Sequence, residues 1–353
     1  MVPIDILKVL IPPAFAFIIG IVMTPLVTRY LYAYKMWKKK PGKTAMDGSV
    51  AHEFNKLKLE GEKKTPRMGG IVVWGSALIT IVAIALLAPF FPVLGEAKFN
   101  FLSRSQTWIP LACLLIGAAV GFVNDVLDCR PEAKGISLSV RLSIVAALAG
   151  FIGWWFYAKV GIVGISIPFA GVWLIGPLLI PFFMFFAMCI YASGIIDGID
   201  GLSGGVFSSI FTAYAIVAFQ QQQYDLAAFC SMIVGSLLAF LWFNIPPARF
   251  YMTETGTMAL TLTLAAVACM TDAMGGGIGI SALLVIGFPL VITVLSVIAQ
   301  LFYKRVYGKK LLRIAPLHHH FEAIGWPSYK VTMRYWVVSW MCALVGVVIA
   351  ILG

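Results

Sequence analysis

The sequence predicts an all-α polytopic membrane protein of about ten transmembrane helices, and three observations predict it. Of its 353 residues 61% are hydrophobic and 12% charged, with mean hydropathy +0.94, a balance far outside the range of soluble domains. Apolar runs of roughly 17–25 residues, the length that crosses a bilayer, recur along the whole chain. The Lys and Arg residues behind the net charge of +11 fall in a few blocks between those runs. Such blocks are orientation signals and lipid headgroup contacts, so the expected partner is membrane lipid and not nucleic acid.

Taken in order, the runs place helices at 6–32, 69–92, 107–126, 139–158, 172–193, 203–220, 226–243, 256–271, 278–302 and 331–352, within one membrane domain spanning 1–353. The first run is too long for a signal h-region and has no small-residue cleavage site after it, so it counts as the first span. Ten spans put both termini on one side. The loops after odd-numbered spans carry 19 Lys and Arg, whereas the other side carries Lys8, Lys98, Arg104 and Lys159. By the positive-inside rule the odd loops are cytoplasmic and the termini outside. The six cysteines are scattered without a C-x-x-C, and five of them (113, 189, 230, 269, 342) lie inside apolar runs. Neither a zinc site nor a disulfide framework is indicated.

The polar motifs all fall in or beside the cytoplasmic loops. After span 5 runs IIDGIDGLSGG, residues 195–205, where Asp197 and Asp200 would share one face if the segment were helical. Its glycines allow close approach of a ligand or a backbone, although Asp and Gly are also the ordinary residues of a turn. Span 3 ends in GFVNDVLD, which holds Asn124, Asp125 and Asp128, with Asp125 as the candidate proton acceptor. Carboxylates at span ends either snorkel to water or form a site. Facing basic loops, they suit a Mg²⁺-dependent site for a phosphorylated substrate.

The remaining loops supply the other candidates. In EGEKKTPRMGG, Lys63, Lys64 and Arg67 are placed to bind phosphate, whereas Lys38 to Lys40 read as a headgroup contact. The prolines of FNIPPARFYMTETGTMAL forbid a continuous helix and leave Asn244, Tyr251 and Glu254 on an irregular segment. Tyr251 is a belt residue or a stacking platform for a base, and the sequence alone favours the belt. In RIAPLHHHFEAIGW, His318, His319 and His320 point different ways on a helix, so they suit hydrogen bonding and proton transfer near phosphates better than one metal ion.

With these motifs in place, the chain resembles the MraY-type phospho-N-acetylmuramoyl-pentapeptide transferases, within the polyprenyl-phosphate N-acetylhexosamine 1-phosphate transferase superfamily. TPRMGG, GF-x-ND, DGIDGL, FLWFN-x-x-PARF-Y-M-x-E-x-G, LSVIAQ and APLHHHFEAIGWP carry the resemblance along nearly the whole chain. It implies transfer of phospho-MurNAc-pentapeptide from UDP-MurNAc-pentapeptide to undecaprenyl phosphate, with Mg²⁺, by a homodimer. It further implies a bacterial plasma membrane with periplasmic termini and a catalytic set at Asp125, Asn124, Asp197 and His318, with Asp197 and Asp200 matching nucleotide-site aspartates and Asn244 contacting the nucleotide. His319 and His320 match too, and Tyr251 keeps the ring of a uracil-stacking Phe.

Several positions depart from that pattern. Asn124 replaces the first Asp of an Asp pair, Asp128 a Lys, and Gly194 an Asn. Glu254 replaces the metal-binding Asp, with Thr253 in place of a Gly beside it, Thr293 in place of a Glu and Arg67 in place of a Thr. Asn124 can neither accept a proton nor carry charge. A relative that binds nucleotide sugar or polyprenyl phosphate without fast turnover is therefore the alternative expectation. A transporter would need paired broken helices in repeated halves, and no such repeat is evident.

Overall fold

The computed structural model describes residues 3–38, 64–87, 90, 105–130, 135–272 and 276–353. Lys39, Lys40 and Lys63 lie outside the described residues. The long helices are α1 (Pro3–Ala33), α2 (Gly70–Leu87), α3 (Ser105–Asp128), α4 (Leu138–Trp155), α5 (Leu179–Ala192), α6 (Leu202–Gln220), α7 (Tyr224–Asn244) and α8 (Thr253–Met270). After them come α9 (Gly279–Ile286), α10 (Phe288–Tyr307), α11 (Leu317–Ala323) and α12 (Ser328–Leu352). Ten of the described helical stretches are long and apolar enough to cross a membrane, one for each expected span. The chain is a multi-pass membrane protein.

α8 is the central post of the bundle. Its hydrophobic window is 89% buried, against 17% for α10 at the periphery. Water cannot satisfy polar groups at that depth, so the threonines of α8 bond to their own helix. Thr261 Oγ1 donates to the Thr257 carbonyl at 2.7 Å, and Thr263 Oγ1 to that of Ala259 at 2.7 Å. α3 lies against α8 through Gly117 and Gly121, where a Cβ would run into the backbone of Met258 and Ala259 or of Glu254. Small residues four apart let two helices approach this closely in a membrane. On the other flank, α1 packs on α7 where Gly235 meets the Pro13 backbone.

Two expectations are corrected. The ninth span is not one helix over 278–302, because it breaks at Gly287 into α9 and α10. The last turn of α9 still closes, with Gly287 N–H on the Leu283 carbonyl at 2.8 Å, but Pro289 follows in GFPL, and its ring and missing N–H prevent the helix ladder from continuing back to Val285. Span 5 does not begin at 172. Residues Gly171–Leu174 form strand β2, antiparallel to β1 (Gly164–Ile167), with Ile165 opposite Trp173. The alternating β-branched and aromatic residues of this stretch favour strand, and the helix starts only after a 3₁₀ turn at Gly176–Leu178. The fold is otherwise all-α.

The end of the bundle holding this hairpin carries polar links of its own. Asp272 accepts from the N–H groups of Ser166 and Ile280, both at 2.9 Å, and so ties the hairpin to the start of α9. Lys8 forms a buried ion pair with Asp225. Lys8 is thus not an open orientation charge.

Candidate functional site

The candidate residues gather at the opposite end, where three irregular segments meet the first turn of α8. The chain from Pro66 to Gly70 runs alongside Tyr251 to Thr253. Tyr251 N–H donates to the Pro66 carbonyl at 2.9 Å, Gly69 N–H to that of Tyr251 at 2.7 Å, and Met68 N–H to Thr253 Oγ1 at 3.0 Å. A side chain at Gly69 or Gly70 would strike the Phe250 ring or the Gly256 backbone. This pairing brings Arg67 over the end of α3.

There Asp125, fully buried, receives four donors. Arg67 Nη2 lies 3.0 Å from its Oδ1. Its Oδ2 accepts from Thr253 Oγ1 at 2.5 Å, from Thr255 N–H at 2.8 Å and from Thr255 Oγ1 at 2.6 Å. The same Arg67 nitrogen stands 3.3 Å from Asp128 Oδ2. Burial would lower the Arg67 pKa, but Asp125 and Asp128 outweigh it and raise the guanidinium above its ordinary value. Asn124 does not face these groups as an acid or base. Its Oδ1 accepts from Ile136 N–H at 3.0 Å, as Asp128 Oδ1 does from Gly135 N–H at 3.0 Å, so both hold the chain that leads into α4.

Glu254 sits between the two threonines, in the first turn of α8. Its carboxylate is taken by Arg141 of α4, with the Tyr191 hydroxyl of α5 at 3.3 Å. Arg141, Tyr191 and Thr255 were not singled out from the sequence. A cation inside an apolar run, as in LSVRLS, was the signal that could have found Arg141.

The DGIDG segment is not helical at Asp197, so its two carboxylates do not share a helix face. Asp197 Oδ1 accepts from Ser203 Oγ at 2.7 Å and its Oδ2 from Thr253 N–H at 2.8 Å. Burial pushes this carboxyl up, against the two hydrogen bonds. Asp200 turns instead to the segment after α7 and accepts from Ala248 N–H at 3.1 Å. Asn244 ties the two stretches together: its Oδ1 accepts from Gly201 N–H at 2.9 Å and its Nδ2 donates to the Phe250 carbonyl at 2.8 Å.

Gly198 explains how the histidines join the site. A Cβ there would fall 2.6 Å from Nε2 of both His318 and His319. His319 Nδ1 pairs with Glu322 Oε2 at 2.7 Å, and Glu322 is in turn fixed by Ser328 Oγ at 2.5 Å. His320 turns away, accepting from Arg313 N–H at 3.2 Å. Lys64 is exposed and Tyr251 half-buried at the margin.

A divalent ion does not fit the donors as they stand. Asp125, Asp197 and Asp128 each have both oxygens engaged, and Arg141 occupies Glu254. No three acidic or histidine groups gather as a metal set among the described residues. The octahedral geometry Mg²⁺ demands would require an arginine to leave.

A family model described as "Glycosyl transferase family 4" matches residues 107–272, which run from α3 to the end of α8, and with the ten apolar helices the class is a membrane transferase. The phospho-N-acetylmuramoyl-pentapeptide-transferase of Geobacillus thermodenitrificans (strain NG80-2) is 32% identical over 350 residues, covering 97% of this chain and 98% of the relative. Those of Bacillus thuringiensis (strain Al Hakam) and Bacillus cereus (strain AH187) are each 31% identical over 349 residues, with the same coverage. The chain belongs to the phospho-N-acetylmuramoyl-pentapeptide-transferase family.

Proposed function

We propose that this protein transfers phospho-MurNAc-pentapeptide from UDP-MurNAc-pentapeptide to undecaprenyl phosphate, giving lipid I and UMP at the cytoplasmic face of a bacterial plasma membrane. The observation that carries this reading is 32% identity over 97% of the chain to a relative bearing that name, with TPRMGG, DGIDG and the histidine helix meeting at one end of the bundle. An oxygen of the lipid phosphate attacks the β-phosphorus, the bond from that phosphorus to the bridging oxygen breaks, and UMP leaves. Asp125, the proton acceptor that the resemblance implies, would take the acceptor's proton only after releasing one of its four donors. His318 and His319 serve the transferred phosphate, Lys64 the diphosphate, and Asp200 and Tyr251 the uridine, with Asp197 and Asn244 setting the loop between. Mg²⁺ is the ion the resemblance implies, but the carboxylates do not fit it as they stand.

A second reading, binding without fast turnover, draws support from the Asn124 side chain being committed to Ile136 N–H. One assay separates the two. Purified protein in nanodiscs with both substrates is expected to release UMP, and Asp125→Asn to stop it. Nucleotide-sugar binding without UMP release would favour the second reading. The uridine assignment has its own check, because Tyr251→Ala is expected to weaken UDP-sugar binding by about 1–3 kcal/mol, the scale of a lost base stack. Unchanged affinity by calorimetry would return Tyr251 to the interfacial belt.

A further inference from the structure

The disagreement between an expected metal and the donors present points to a different source of positive charge. We propose that in this protein two guanidiniums, Arg67 and Arg141, take the place of a protein-bound divalent ion in holding the diphosphate of the substrate. This rests on the reading of the site as one for a nucleotide diphosphate.

Asp125 bonds Thr253 and Thr255, the two neighbours of Glu254 in the chain, and each of the two carboxylates already carries its own arginine. Arg67 comes from the segment before α2 and Arg141 from the first turn of α4, so neither belongs to the element whose carboxylate it neutralises. Both side chains are 19% exposed. They are neither solvated surface cations nor sealed in the core.

Donor count is the second point. A guanidinium offers five N–H donors in a fork matched to phosphate oxygens. Arg67 spends Nη2 on Asp125 and Asp128, and Arg141 spends Nη1 on Glu254. The Nε of each is buried without a hydrogen-bond partner, an uncompensated cost unless an acceptor completes the set. Phosphate oxygens are the acceptors that suit it.

The third point is what Mg²⁺ would have to do. It would have to displace a guanidinium from Glu254 or from Asp125 and then find further oxygen ligands, where the neighbouring carboxylate oxygens are already hydrogen-bonded.

The test measures binding of inorganic pyrophosphate and of UDP-MurNAc-pentapeptide to the full chain in nanodiscs, in EDTA and in excess Mg²⁺. The expected result is an affinity that differs by less than about twofold between the two conditions. Arg141→Met and Arg67→Met are expected to weaken pyrophosphate binding at least about tenfold, as charge-assisted phosphate contacts are lost. Glu254→Gln is expected to strengthen it about threefold or more, since Arg141 loses a competing partner. A metal ligand at that position would give the opposite sign. In case the arginine variants do not fold, Mn²⁺ titration of the wild-type protein followed by electron paramagnetic resonance gives a separate answer. No saturable protein site is expected. A stoichiometric Mn²⁺ site that Glu254→Gln removes, or pyrophosphate binding that requires Mg²⁺, overturns the proposal. If pyrophosphate binds independently of metal while the UDP-sugar does not bind, the nucleotide-sugar reading falls and the two-arginine site stands. If neither binds, the two-arginine site falls.

Discussion

Thr253 shows how much of the site depends on one side chain. Its φ of 55° lies in the left-handed region, which a β-branched residue enters only when its surroundings hold it there. Those surroundings are Asp125, to which its hydroxyl donates, Met68 N–H, which donates to that hydroxyl, and Asp197, which accepts its N–H. Thr253→Val keeps the strain and removes the hydroxyl from a buried carboxylate. It is expected to lower stability by about 1–3 kcal/mol in thermal or denaturant unfolding, with Thr253→Ser much milder. Asp197 gives a pH-dependent check. Because burial raises its folded pKa above the unfolded one, its contribution is full below the ordinary carboxylate range and is lost as pH rises through the raised value. The melting temperature should therefore fall as pH rises from that range, and Asp197→Asn should flatten the fall. An unchanged slope would mean that another group titrates. At this scale the sequence displayed the carboxylates and histidines themselves. It did not display their partners, because Arg67 and Asp125 are 58 residues apart and Arg141 and Glu254 113 apart.

Helix by helix, the sequence was easiest to read where one physical signal dominated. Ten apolar runs gave ten spans, since hydrocarbon thickness sets a length that composition alone reveals. The signals that competed with hydropathy were local. Pro289 after Gly287 splits the ninth span, and β-branched alternation in GISIPFAGVWL makes a hairpin of residues that hydropathy assigned partly to a helix. Gly117 and Gly121 were visible as letters, but their use was not, because only the pairing of α3 with α8 shows that backbone must meet backbone there. Gly121 lies one turn before Asp125, so helix spacing and site geometry are linked. Gly121→Leu is expected to force α3 away from Glu254 and cost about 1–3 kcal/mol as overpacking. It should also separate Asp125 from Thr255 and reduce UMP release more than stability. Release that falls only in proportion to folded protein would show that the site tolerates the displacement.

Across the whole molecule, the bundle puts its two polar ends to different uses. The far end is closed by self-contained links, Lys8 with Asp225 and Asp272 with two backbone N–H groups. The site end has the guanidiniums, the exposed Lys64, and His318 and His319 beside Gly198. A phosphorylated nucleotide sugar made inside the cell could reach only the cytoplasmic end, so orientation and function stand or fall together. Lys8 belongs to a buried pair, and so does Arg67 among the 19 in the odd loops, so one charge is discounted on each side and the bias keeps its direction. That bias favours the site end in the cytoplasm. A reporter fused after Gly353 is expected to be periplasmic, and one inserted within residues 39–63 cytoplasmic, as read by paired alkaline phosphatase and fluorescent protein fusions. Neutralising Lys8 should leave that labelling unchanged, since the charge sits inside protein. If the labelling reverses, the site faces away from cytoplasmic nucleotide, and the proposed transferase reaction fails with it.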